Sequence, residues 1–487
     1  MKRSFVANTG IYVIGNTLQR AVAYVVLPIY AWLMPQDQYG RYAVFVSAMA
    51  VVNLVLDMGL SKAASRHYID YEESPGRLRY FLEQLVFQRL VLTLGVGVAI
   101  LLATIPLWPV LTAGALDWWP YVLLLLLIAA SDSFLLIVVL LHRMRNDAVG
   151  FTLLKLGQAG GQCLFGIAIV ALFHGGAIGA ACGVALGSLL SFMAAAAVYR
   201  FRLLPREPAE RAVAPGVLWR ENLGYGAPLL FYDLAFWLRT QADPFILVRF
   251  VSLATVGTYQ LGYVSGILMG LIVVSIDLAY APMYYRWKRS NPMADPMHYN
   301  ATAVQALGLG AVAVWAVMAA RPALLLVLGP TRAPAGDVAP FLILAHYIYG
   351  HYLSDTRKLF FLKRVRPITL YSIMVSAACI ATTFALVPVY GYMAAAWMNA
   401  VTFTLLWLGG TAIARYMAPP LTIPLMMQLT VSAIVLALVL LEPTVPALGW
   451  EGLGIRVLAA AGISAVLAAF AVRYARQLVT ITKPATA

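Results

Sequence analysis

The feature that constrains this chain most is a succession of apolar stretches, each near the length of a bilayer-crossing helix, parted by short segments rich in Lys and Arg. A helix needs about 20 residues to cross about 30 Å of hydrocarbon. In lipid the backbone must satisfy its own N–H and C=O groups, which leaves helices and closed barrels. These runs are too long and continuous for barrel strands of about 10 alternating residues. Fourteen spans are predicted, at 8–34, 40–61, 82–106, 120–141, 149–173, 177–199, 223–248, 255–281, 301–320, 337–357, 368–388, 391–414, 421–441 and 454–474. The composition, 62% hydrophobic and 11% charged, leaves too few charges to cover a soluble body. So although 487 residues would suit roughly three soluble domains, the expectation is one all-α polytopic membrane protein. Met1-Lys2-Arg3 before an apolar stretch resembles a signal peptide. The stretch runs to Met34 through Arg20 and Pro28, too long and polar for an h-region of about 7–15 residues, and is read as the first span.

The formal charge of +14 could suggest a nucleic-acid partner. Its placement points to membrane topology instead. With the N-terminus in the cytoplasm, 25 Lys and Arg fall on inner segments and 5 (Arg41, Arg249, Arg321, Arg332, Arg456) on outer ones. Both termini are therefore predicted to be cytoplasmic. Cys163, Cys182 and Cys379 lie within apolar runs, without metal-ligand spacing, and read as packing residues. The organisation expected is an N-terminal lobe at 1–200 (spans one to six), a cytoplasmic linker at 201–222 with Pro205, Pro208 and Pro215, and a C-terminal lobe at 223–415 (spans seven to twelve). Spans thirteen and fourteen follow at 421–474, then a tail at 475–487.

The second lobe echoes the first. Asn8-Thr9-Gly10 opens span one and Asn222-Leu223-Gly224 span seven; Tyr39-Gly40-Arg41-Tyr42 begins span two and Val256-Gly257-Thr258-Tyr259 span eight. Asp57-Met58-Gly59 precedes Arg66 as Asp277-Leu278-Ala279 precedes Arg286. Gly175 with Gly179-Ala180-Ala181 matches Gly391 with Ala394-Ala395-Ala396. Six spans separate the partners, so the repeat is parallel, about an axis along the membrane normal. It predicts two pseudo-symmetric six-helix lobes, plus two C-terminal helices, enclosing a cavity that opens to alternate sides.

At these landmarks the chain resembles the polysaccharide-transport branch of the multidrug/oligosaccharidyl-lipid/polysaccharide flippase superfamily. The residues that carry the resemblance are Asn8 and Pro28, Tyr39 to Tyr42, Asp57-Met58-Gly59-Leu60, Gly175 to Ala181, and Tyr390-Gly391-Tyr392 with Ala394 to Ala396. The resemblance implies a transporter of the bacterial inner membrane, with lobes in a V. It implies a cargo such as an undecaprenyl-pyrophosphate-linked O-antigen or exopolysaccharide unit, with membrane lipids and polymerase or assembly proteins as partners and no nucleic acid. It implies no cofactor and leaves proton or sodium coupling open. The last two spans resemble those of lipid II flippases, where extra helices offer a groove to the lipid tail.

Intramembrane charges cost at least about 2.5–3.5 kcal/mol each on insertion scales and mark candidate sites. Tyr12, Asn16, Arg20 and Tyr24 recur every four residues and form one polar, aromatic stripe on span one. For a pyrophosphate cargo, Arg20 would replace hydration water with charge-assisted bonds, and the tyrosines would stack on sugars. The alternative for Arg20 is a structural pair, for instance with Asp132. Arg89 and Lys155 are read either as cargo ligands or as side chains snorkelling to inner headgroups. Arg239 and Asp243, four apart on span seven, are expected to pair. Asp233 has no partner on its own helix and is the candidate for ion or proton coupling, or for a bond to Arg20. Asp57 and Asp277 read as gating or structural pairs with the basic loops that follow them. On span ten, His351 and Asp355 suggest a proton relay or a polar interface belt. Gln158 and Gln162 would bind sugars or tie helices.

Four rival readings require other features. A membrane glycosyltransferase or polymerase should carry a sizeable outer loop with paired catalytic residues. The outer loops 107–119, 321–336 and 442–453 are short, their acids are scattered, and no HExxH or GxSxG is present. A multidrug/cation antiporter should have an acidic cavity, whereas the first lobe has Arg20, Arg89 and Lys155 against Asp132. A lipid II flippase shares the pyrophosphate and stays open. A structural or scaffolding protein would need neither the stripe nor the duplicated lobes.

Overall fold

A computed structural model describes residues 11, 15, 18, 19, 21, 22, 25–211, 213–290, 293–362 and 364–482. Residues 25–33 are helical. Among the described residues fifteen helices follow: α1 (Gln36–Asp57), α2 (Leu60–His67), α3 (Pro75–Thr112), α4 (Trp118–Met144), α5 (Ala148–Phe173), α6 (Gly176–Val198), α7 (Pro215–Gln241), α8 (Asp243–Leu247), α9 (Leu253–Ser290), α10 (Ala294–Leu328), α11 (Ala335–Phe361), α12 (Arg366–Tyr390), α13 (Tyr392–Met417), α14 (Leu425–Leu441) and α15 (Trp450–Thr482). No strand occurs among the described residues. Eleven of these helices are long and apolar enough to cross a membrane, rather than the fourteen expected. Helices α7 and α11, of 27 residues each, are long enough but too polar by that measure. The first span is described only in part, at 11, 15, 18, 19, 21, 22 and 25–34. Large apolar side chains such as Leu94, Leu102, Leu164, Leu440 and Leu458 stand exposed along the helices. In water they would be a liability; on a multi-pass membrane protein they face lipid.

The helices overrun the spans. α3 has 38 residues and α9 has 38, so each is about 57 Å long and continues well beyond the hydrocarbon. Much of the segment read as the loop 62–81 is therefore helical: α2, a 3₁₀ turn at Tyr68–Asp70, and the start of α3 at Pro75. The repeat also differs locally. After Asp57 the chain breaks at Met58 (φ 50°) and Gly59 (φ 69°), both left-handed, and turns into α2. The matching Asp277-Leu278-Ala279 stays inside unbroken α9, since Ala279 lacks the freedom that glycine gives at positive φ.

The chain divides into two compact units, Met1–Gly257 and Thr258–Ala487. The division falls after Gly257, not in the 201–222 linker. Span seven, as α7, belongs to the first unit, and so does the linker. Its backbone is held on α3: Glu210 N–H donates to Gly76 O at 3.0 Å, the Tyr80 hydroxyl to Val213 O at 2.8 Å, and the Arg79 guanidinium to Glu207 O at 3.2 Å.

In the first unit an apolar core joins α2, α3, α4 and α7 through Leu60, Phe81, Leu85, Val138, Leu141 and Leu218. Apolar surface gains nothing from leaving lipid for protein, so close van der Waals contact must supply the adhesion between helices. Gly179, Gly183 and Gly187 recur every four residues on α6. A Cβ on Gly183 would strike the Gly166 backbone of α5, and one on Gly187 the Gln162 backbone. Two further crossings are made backbone to backbone. A Cβ on Gly257 would lie 2.6 Å from Gln36 O, and one on Gly226 would lie 2.8 Å from Gly59 O.

The second unit uses the same device on another helix. Gly262, Gly266 and Gly270 of α9 receive Val338, Leu342 and His346 of α11. The polar residues of span ten turn inward and form no interface belt. Asp355 is fully buried and accepts from Trp407 Nε1 (2.9 Å), Thr411 Oγ1 (2.8 Å) and Gln428 Nε2 (2.9 Å), binding α11 to α13 and α14. His351 lies against Tyr347 and Trp407, with ring centroids 4.8 and 4.9 Å away. Glu442 and Arg456 form a buried pair at 2.6 Å, and Arg456 Nη1 also donates to Met318 O at 3.1 Å, so α15 is fastened to α10.

Candidate cargo-binding site

The site grows from the corner between α1 and α2. The left-handed pair Met58 and Gly59 ends α1 and leaves its last carbonyls without intrahelical partners. Arg89 of α3 fills that gap. Its Nη2 lies 2.6 Å from Asp57 Oδ1 and 3.1 Å from Ser61 Oγ, and its Nη1 reaches Leu56 O at 3.3 Å and Asp57 O at 3.4 Å. Arg89 is 1% exposed. The structure thus corrects the expectation for Arg89: the side chain neither snorkels nor reaches the cavity, because its guanidinium is enclosed by Asp57 and the helix end. Asp57 pairs with this residue of the next span, not with the basic loop after it.

The corner aims α2 across α7. On α2, Lys62 places its Nζ 2.6 Å from both carboxylate oxygens of Asp233. His67 Nδ1 lies 2.8 Å from Asn222 Oδ1, and Asn222 Nδ2 donates to Gln88 Oε1 at 2.8 Å. Asp233, which has no partner on its own helix, thus pairs with Lys62, which reaches it from a helix that the sequence pattern read as a loop.

These groups open on a cavity of about 500 Å³ within the first unit, lined by Asn53, Asp57, Ser61, Lys62, Ser65, Arg143, Lys155 and Asp233 among apolar residues of α1, α4 and α5. Lys155 stands on α5. Asp147 caps that helix, accepting from Gly150 N–H at 2.9 Å. This bond, with His142 at 2.8 Å, holds the Asp147 carboxyl below its usual range. Lysine, arginine and lysine thus converge from α2, α4 and α5 on one half-open space. Such a lining can take an anion, with Asn53, Ser61 and Ser65 as neutral hydrogen-bonding groups. The structure brings together Lys155, Asp57 and Asp233 from the sequence-derived set. It adds Lys62 and Arg143, which the sequence pattern assigned to topology alone. Among the described residues no group of three or more His, Cys, Asp or Glu side chains could hold a metal ion.

The remaining candidates lie elsewhere. Tyr12, Asn16, Arg20 and Tyr24 fall outside the described residues. Asp132 accepts from Gln158 Nε2 at 2.7 Å, and Gln162 donates to Ser188 Oγ at 2.8 Å, so both glutamines tie helices. Arg239 is buried, its guanidinium carbon 5.3 Å from the centre of the Phe236 ring. Helix α7 ends at Gln241 and Asp243 opens α8, where Pro244 has no N–H to continue the ladder. The one-turn spacing that predicted an Arg239–Asp243 pair therefore does not run through a continuous helix. Asp277, in the second unit, bonds Arg357, whose guanidinium carbon lies 4.3 Å from the centre of the Tyr280 ring. Its partner is again a distant helix, not the following loop.

Comparison with known proteins places this architecture. No curated protein sequence matches the chain. Among solved structures, the lipid II flippase MurJ in an inward closed conformation superposes with a TM-score of 0.74 at 14% identity, covering 96% of this chain and 99% of that one. The MATE multidrug transporter DinF-BH, solved as a complex, gives 0.64 at 14%, over 86% and 96%. A MOP superfamily transporter from Pyrococcus furiosus gives 0.58 at 13%, over 85% and 95%. At this identity the likeness is one of fold. The sequence model of the family described as "Polysaccharide biosynthesis protein" matches residues 5–286, more than half of the chain. The chain therefore belongs to the polysaccharide biosynthesis protein family.

Proposed function

We propose that the protein is a flippase that moves a lipid-linked oligosaccharide, carried on a polyprenyl pyrophosphate, from the cytoplasmic to the outer leaflet of a bacterial inner membrane. The observation that carries the reading is the cavity of the first unit, where Lys62, Arg143 and Lys155 converge. A pyrophosphate entering lipid must lose hydration, and ammonium and guanidinium groups in a half-open space replace those lost bonds. The basic excess around this cavity favours an anion over the cations handled by an antiporter. The end bearing Lys62 and Arg143 faces the cytoplasm in this reading, as the distribution of Lys and Arg suggests. Arg20, Asn16, Tyr12 and Tyr24 contribute contacts from span one, on their sequence pattern alone.

The test is flipping in proteoliposomes loaded with a fluorescent lipid-pyrophosphate oligosaccharide, read by the accessibility of the glycan to an added glycosidase. The double variant Lys155→Ala/Arg143→Ala should flip about tenfold more slowly or worse, the loss expected for one to two charge-assisted bonds, while Lys155→Arg keeps most of the rate. Flipping at the wild-type rate by the double variant would overturn the reading. The fold shared with MurJ makes a lipid II-type cargo the competing substrate, and offering both lipids in one assay ranks them.

A further inference from the structure

Two ion pairs stand beside the cavity and differ in kind. Arg89–Asp57 is enclosed, and the arginine is held by a hydroxyl and two carbonyls besides the carboxylate. Lys62–Asp233 has none of that support. Its side chains are 44% and 24% exposed, and among the described residues neither has another side-chain partner. Both groups line the cavity. Lys62 meets the carboxylate with both oxygens at 2.6 Å, an arrangement that two oxygens of a phosphate reproduce. A phosphate brings more charge and further oxygens, which Arg143 and Lys155 of the same cavity are placed to share.

We infer that Asp233 is an internal stand-in for the cargo's anion: it holds Lys62 until a phosphate group of the lipid headgroup enters the cavity and displaces it. This rests on the flippase reading above. The exchange is inexpensive because Asp233, 24% exposed, faces the half-open cavity and is not stranded as a buried charge. It also has a mechanical consequence. The pair is the link between the first turn of α2 and the middle of α7. Its exchange leaves α2 joined to α7 by His67–Asn222, by the Gly59–Gly226 contact and by the apolar core that holds Leu60 and Leu218, so the headgroup that binds the cavity removes one of the ties at this crossing.

The experiment measures inorganic pyrophosphate binding to the full-length protein in zwitterionic nanodiscs by calorimetry. Asp233→Asn removes the competitor and should bind roughly two- to fivefold tighter, the range set by partly exposed ion pairs. Lys62→Gln should bind severalfold weaker. The decisive comparison is Lys62→Gln/Asp233→Asn, expected to bind like Lys62→Gln, because Asp233 competes only through Lys62. A tightening that persists without Lys62 would be a general field effect and would overturn the inference. So would unchanged or weaker binding by Asp233→Asn. Asp233→Glu keeps the carboxylate, should bind like wild type, and serves if the Asn variant misfolds: tightening there would also overturn the inference. The outcomes separate the two readings. If Lys155→Ala weakens binding but Asp233→Asn does not strengthen it, the stand-in role alone fails. If wild type shows no binding, or Lys155→Ala binds as wild type does, the cavity's role in the flippase reading fails with it.

Discussion

Removing Asp57 should cost more than removing Arg89, although the two form one ion pair. The asymmetry follows from burial. The Arg89 side chain is 2% exposed and Asp57 is 17% exposed beside the cavity. Asp57→Ala strands a guanidinium with one hydroxyl and two long carbonyl bonds. A buried pair broken in that way loses about 3–5 kcal/mol. Arg89→Met instead leaves a carboxylate that accepts from Ser61 Oγ at 2.5 Å and reaches water. Beyond the bond to the Asp57 carboxylate, which the cycle reads as coupling, it loses the longer bonds to Ser61 Oγ, Leu56 O and Asp57 O at 3.1, 3.3 and 3.4 Å, about 1–3 kcal/mol together at typical net values. The double variant Asp57→Ala/Arg89→Met should recover part of the loss, with a coupling energy of about 1–3 kcal/mol. Equilibrium unfolding in mixed micelles, followed by tryptophan fluorescence, gives the four free energies of the cycle. Equal costs for the two single variants, or costs that simply add, would refute the argument. Arg89→Met of normal stability that no longer flips lipid would do the same, and would return Arg89 to the cargo.

Two further outcomes test the architecture. Gly59→Ala should lose at least about 1 kcal/mol from the left-handed backbone alone, and more because its Cβ would meet the Gly226 carbonyl of α7; melting in detergent at the wild-type temperature would remove that crossing from the account. Asp355→Ala should destabilise the second unit by about 3 kcal/mol or more, since it orphans the donors of Trp407, Thr411 and Gln428. Asp355→Asn keeps one acceptor oxygen and should cost about half as much; a thermal-shift series that ranks Asn below Ala would contradict this.

Much of the fold was legible because the bilayer constrains a chain locally. An apolar run must be a helix wherever it sits, and Lys and Arg end at its margins whatever the neighbouring spans do. The limits came where helices carry their own charges. α7 and α11 look like weak spans until their polar groups are seen turned toward other helices. The segment after Asp57 reads as a basic loop because eight residues of α2 are too few to show an apolar period.

The site divides in the same way. That the first lobe holds an excess of intramembrane base was written in the sequence, as was the glycine that breaks α1 from α2. Which carboxylate answers which base was not. Asp57 and Lys62 are near neighbours in the chain, yet the break at Met58 and Gly59 sends them to different partners. Arg89 meets Asp57 across 32 residues, Arg357 meets Asp277 across 80, and Lys62 meets Asp233 across 171. Insertion cost is paid residue by residue and can be read along one strand of text. Pairing depends on how helices cross, and those crossings are set by glycine contacts between distant segments, which only the folded chain brings together.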